Sequence, residues 1–135
     1  MADQATKHLV TSTFVPGESL PLIPSVLHLT YIQNTGAAFG LFKGQQVLFI
    51  GLSILVITWV VRELLRHPAP PVLPMWGCAL ILGGAAGNLI DRSRLGYVID
   101  FIDVRVWPVF NLGDSAITIG VVLLLWHSIV AKRCS

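Results

Sequence analysis

Three long apolar stretches, at about residues 45 to 61, 72 to 90 and 115 to 131, constrain this chain more than any other feature. Each comes close to the ~20 apolar residues that cross a bilayer's hydrocarbon core as a helix, the first and third being at the short end. One such stretch would fit the buried helix of a soluble protein. Three within 135 residues leave too little polar surface for that, since only 12% of the residues are charged, against about 25% in soluble domains. A mean hydropathy of +0.75 points the same way. The pattern predicts an α-helical membrane protein, a bundle of three visible spans in a single domain covering residues 1–135.

Positive charge orients such a bundle. Arg62 and Arg66 follow the first span, and Lys132 and Arg133 follow the third. Both of these ends are therefore expected on the cytoplasmic side, and the proline-rich connection from His67 to Pro74 is then a short cytoplasmic turn. Residues 91 to 114 then fall on the opposite, extracytoplasmic side. Residues 1 to 44 carry short β-branched or alternating pieces broken by Pro16, Gly17, Pro21 and Pro24. They predict an extracytoplasmic β-rich segment rather than a span. No cationic-then-apolar signal sequence precedes that segment, so a first span is expected to be missing upstream.

The chemistry gathers at one edge. Asp91, Arg92, Asp100, Asp103 and Asp114 lie within 24 residues between the second and third spans, whereas Asp3, Glu18 and Glu63 are the only acids elsewhere. Ionisable groups at a bilayer boundary are costly, which makes them functional candidates. Two carboxylates held together share a proton and divide acid from base work. Each acid also has a plainer reading. Asp91 beside Arg92 fits a boundary ion pair, and Asp114 fits the N-cap of the third span. Asp100, set among Val98, Ile99, Phe101 and Ile102, has no such role. Asp100 and Asp103 are three apart, so a helical turn would point both one way, with Asp103 partly solvated. Asn88 and Arg92 share a helix face if the second helix persists that far. The glycines and alanines at 83 to 87 permit close helix approach.

Other chemistry is poorly supported. The net charge of +2 and the absence of Lys/Arg-rich runs argue against nucleic acid. His8, His28, His67 and His127 are scattered, with no metal-ligand spacing, and Ser115 has no base near it in sequence. Cys78 falls in an apolar run and Cys134 is next to last, so neither a disulfide framework nor a zinc site is indicated. A non-enzymatic membrane subunit or proton-relay protein is the alternative. It calls for acids at several depths, whereas no Asp or Glu falls inside any span.

Five strings in order, DQATK (Asp3 to Lys7), NTGAAFG (Asn34 to Gly40), GGAAGNLIDR (Gly83 to Arg92), GYVIDFID (Gly96 to Asp103) and FNLGDSAI (Phe110 to Ile117), resemble those of the lipoprotein signal peptidases. These are type II signal peptidases, aspartyl proteases of the bacterial inner membrane. The resemblance covers nearly the whole chain. It implies a catalytic dyad of Asp100 and Asp114, with Asn34, Asn88, Arg92 and Asn111 binding and orienting substrate, and Asp3, Gly36 and Asp91 as structural support. It also implies a multi-pass monomer among membrane lipids, with no metal or cofactor and an extracytoplasmic active site. The substrate would be a prolipoprotein cut just before a diacylglyceryl-modified cysteine, and globomycin would inhibit. The family has four spans, one more than is visible here, and more often has alanine where this chain has Gly113.

Overall fold

Each of the three apolar stretches is one unbroken helix in the computed structural model, because backbone polar groups in a bilayer must be satisfied within the segment. The structure describes residues 2–36, 41–67 and 70–133. Residues 37–40 of the NTGAAFG string, Pro68 and Cys134 lie outside the described residues, as do the side chains of Lys132 and Arg133. The elements run α1 (Ala2–Thr13), β1 (Ser19–Ile23), β2 (Leu27–Asn34), α2 (Gln46–Arg66), α3 (Val72–Leu95), β3 (Val98–Asp103) and α4 (Leu112–Arg133). Helices α2, α3 and α4 are each long and apolar enough to cross a membrane. The protein is a multi-pass membrane protein.

Helix α3 is the middle member and packs against both α2 and α4. Glycines set how closely α4 approaches. A Cβ added at Gly120 would lie 2.6 Å from the Gly77 carbonyl oxygen, and one added at Gly84 would overlap the carbonyl of Gly113. Gly77 with Gly84, and Gly113 with Gly120, are each two turns apart, so the seam is glycine-on-backbone along its length. Val60, Cys78 and Ile81 form a buried apolar cluster towards one end of the bundle. Outward faces carry exposed apolar side chains such as Val47, Leu55, Trp59, Val122 and Trp126, as a lipid-facing surface requires.

A second core joins the N-terminal segment to residues 98–103. Strands β1, β2 and β3 form one antiparallel sheet in that order. Val10 of α1 packs on Tyr31, Ile99 and Phe101 of the sheet. Two expectations need correction. Residues 2–13 are helical, not β-like: Asp3 and Lys7 pair across one helical turn, and buried Val10 lies three residues beyond Lys7 on that inward face. Residues 98–103 are a strand, not a helical turn, because they pair with β2, with Ile32 opposite Asp100 and His28 opposite Asp103. Sequence-local spacing carries no trace of a partner more than sixty residues away.

Candidate active site

Helix α3 continues past its apolar part, so Asn88, Asp91 and Arg92 ride on its final turns before Gly96 ends it in the left-handed conformation (φ 78°). Helix α4 begins beside them. Its first turn is closed by a reciprocal cap: the Asn111 side-chain oxygen accepts the Asp114 backbone N–H at 2.9 Å, and Asp114 Oδ2 accepts the Asn111 N–H at 3.3 Å. Asn111, rather than Asp114, is the N-cap. The cap consumes one oxygen of Asp114 and leaves Oδ1 to Asn88 Nδ2 at 2.8 Å.

Strand β3 brings Asp100 to the same place. Asp100 is 2% exposed. Its Oδ1 accepts from Asn111 Nδ2 at 2.7 Å, and its Oδ2 from Asn34 Nδ2 at 2.9 Å. Asn34 in turn accepts the Gly36 N–H at 2.9 Å, which ties the β2 end to the pair. Asp100 and Asp114 line one cleft of about 210 Å³, walled by Phe49, Trp107, Pro108, Val109 and Phe110. Arg92 lies at its rim, 4.8 Å over the Phe49 ring and 3.4 Å from the Gly36 carbonyl oxygen. Its Nε is buried without a hydrogen-bond partner among the described residues. Burial, reinforced by the charge of Asp114, pushes the Asp100 carboxyl up to about 7, against the opposing amides of Asn34 and Asn111 and the Lys7 cation.

The remaining acids separate. Asp91 does not pair with its neighbour Arg92 but with Lys7 Nζ at 2.8 Å, while accepting the Ile99 N–H at 3.1 Å and Gln4 Nε2 at 2.8 Å. It therefore fastens α1, α3 and β3 together. Asp3 pairs with the same ammonium at 2.9 Å and accepts the Gly113 N–H at 2.8 Å. Gly87 makes room for it, since a Cβ there would overlap the Asp3 carboxylate. Asp103 is buried (6% exposed) rather than partly solvated, held by Thr30 at 2.9 Å and Arg105 at 3.0 Å.

All nine sequence-selected positions thus fall in one connected region: Asp100, Asp114, Asn34, Asn88, Arg92, Asn111 and Gly36 around the cleft, with Asp3 and Asp91 behind it. Lys7 was not singled out by the sequence. It is 1% exposed, and the usable signal was Asp3 four residues before it. Among the described residues no group of His, Cys, Asp and Glu has a metal-binding arrangement.

The profile of the family described as Signal peptidase (SPase) II matches residues 1–130. A lipoprotein signal peptidase of Moorella thermoacetica is 49% identical over 125 residues, covering 93% of this chain and 83% of its relative. One from Syntrophomonas wolfei is 52% identical over 123 residues, covering 91% and 82%. Among solved structures, a bacterial membrane enzyme determined by the in meso method at 2.3 Å superposes with a TM-score of 0.91 at 32% identity, covering 97% of this chain and 82% of that one. With residues 1–130 matched by the family profile and its fold shared, the chain belongs to the signal peptidase II family.

Proposed function

We propose that this protein removes the signal peptide from diacylglyceryl-modified prolipoproteins, cutting just before the lipidated cysteine, by aspartic chemistry at Asp100 and Asp114. The observation that carries this reading is the pair itself: buried Asp100 and half-buried Asp114 in one cleft, both hydrogen-bonded to Asn111. Like charges so placed hold one proton between them. The ionised member takes a proton from water, whose oxygen attacks the scissile carbonyl carbon. The protonated member donates to the carbonyl oxygen, and the C–N bond breaks as the cysteine nitrogen leaves with a proton. Arg92 and its unsatisfied Nε–H supply a donor for a substrate carbonyl at the rim. The apolar cleft wall suits a lipid-bearing residue entering from the bilayer.

The site lies at the end of the bundle opposite Arg62 and Arg66, which supports an extracytoplasmic active site in the bacterial inner membrane. A cysteine at His67 should be labelled only from the cytoplasm, and one at Arg94 only from outside. The reverse pattern in intact cells contradicts the orientation. For the chemistry, the purified protein in detergent should cleave a diacylglyceryl-modified prolipoprotein peptide at the bond before the cysteine, and globomycin should block it. Asp114→Asn should lower turnover by about 10²–10⁴-fold, the usual worth of a positioned acid or base. Normal turnover in folded Asp114→Asn sinks the proposal.

A further inference from the structure

Lys7 lies behind the cleft, not in it. Its ammonium makes three contacts, to Asp3 Oδ2 at 2.9 Å, Asp91 Oδ2 at 2.8 Å and Asn88 Oδ1 at 2.9 Å. Every proton it carries is used. An ammonium only donates, so the side of Asn88 that faces it must be the amide oxygen. A flipped Asn88 would set its NH₂ against a buried cation with no acceptor between them. With the oxygen held there, Nδ2 is forced towards Asp114 Oδ1 at 2.8 Å.

Asn88 Oδ1 also accepts from Asn111 Nδ2 at 3.2 Å, and that same Nδ2 donates to Asp100 Oδ1 at 2.7 Å. Asn111 therefore has its oxygen on the other side, where it accepts the Asp114 N–H. The Lys7 ammonium thereby fixes the Asn88 amide, while the Asp114 backbone N–H fixes that of Asn111, so that each presents a proton to one aspartate. Without Lys7, Asn88 can turn its carbonyl oxygen towards Asp114, which repels the ionised form.

We infer that Lys7 is a positioning residue for the aspartate pair, acting by setting the donor direction of Asn88. This rests on the reading of Asp100 and Asp114 as the reacting pair. Acids face or feel this ammonium from each element packed on it: Asp3 of α1, Asp91 of α3, Asp100 of β3 and Asp114 of α4. The adjoining cavity adds His8, Tyr31, Arg94 and Tyr97.

The test compares Lys7→Met with Lys7→Met/Asp91→Asn, using a diacylglyceryl-modified prolipoprotein peptide in detergent across pH. Lys7→Met should lower kcat at least about tenfold with KM little changed, because preorganised donors act on the transition state. Its acid limb in kcat/KM should move to higher pH, since a cation has been taken from beside two carboxylates. The double variant has the same net charge as the native Lys7, Asp3 and Asp91 trio. It should therefore regain thermal stability and the pH limb, while kcat stays depressed because nothing orients Asn88. Full recovery of kcat in the double variant overturns the inference and makes Lys7 a counter-ion. Failure of both variants to fold also overturns it. If Asp100→Asn turns over normally, the dyad reading itself has failed, a separate outcome.

Discussion

The two ends of strand β3 hold carboxylates three residues apart, both little exposed, Asp100 deep and Asp103 nearer the surface beside half-exposed Arg105, and of opposite character. Asp100 at 2% exposure and Asp103 at 6% both sit beneath the protein surface. Asp100 receives only neutral amides and faces a second carboxylate, and its pKa rises to about 7. For Asp103, burial is outweighed by the Arg105 backbone N–H, the Thr30 hydroxyl and the Arg105 guanidinium, which hold the carboxyl below its usual range. Burial alone does not make a carboxylate reactive. What surrounds it decides whether it keeps a proton near neutral pH or never takes one.

The contrast breaks most readily through the pair. Asp100→Asn combined with Asp114→Asn should be little slower than either single variant, each down by about 10²–10⁴-fold, because groups that act as a unit are not additive. Single-turnover rates on the same peptide measure this. Additive losses would mean that the two carboxylates work independently.

A smaller effect is expected at the residue that joins them. Asn111→Ala removes an amide from Asp100 and the cap of α4, so stability should fall by about 1 kcal/mol, with activity reduced as well. The matching change at the other end, Thr30→Val, strips a donor from Asp103. It should cost about 1 kcal/mol while turnover stays within a few-fold. Thermal unfolding and peptide cleavage on the same preparations separate the two.

A further effect is a difference in pH slope. Asp100 binds its proton more tightly folded than unfolded, so its contribution to stability falls as pH rises from about 4 to about 7. Asp103 has the reverse sign: its stabilisation is present above its ordinary value of 3.8 and is lost as pH falls through that region. Melting temperature against pH should therefore be flatter between 4 and 7 in Asp100→Asn, and flatter only at the acid end in Asp103→Asn.

The spans were legible because hydropathy is a local property: α2, α3 and α4 include the three predicted stretches almost entirely. The positions of Asp100, Asp114, Asn34, Asn88, Arg92 and Asn111 were legible as members of ordered strings. Their connections were not. Asn88 finds Asp114 across 26 residues and Asn34 finds Asp100 across 66, and only tertiary folding makes such pairs. The same holds for Asp91, whose partner is Lys7 of α1 rather than its sequence neighbour Arg92. Strand β3 was missed because its ladder partner is remote, and α1 because its buried face is polar, with Asp3 and Lys7 inward.

The contrast within β3 rests on one side-by-side measurement. Asp100→Asn and Asp103→Asn are purified in the same detergent, and turnover of a diacylglyceryl-modified prolipoprotein peptide is recorded together with melting temperature. Asp100→Asn should lose turnover with its melting temperature unchanged or raised, because one of two facing like charges is gone. Asp103→Asn should keep turnover within a few-fold and melt earlier, because a paired carboxylate has been lost. An inactive Asp103→Asn beside a normally active Asp100→Asn would place the chemistry at the other end of the strand.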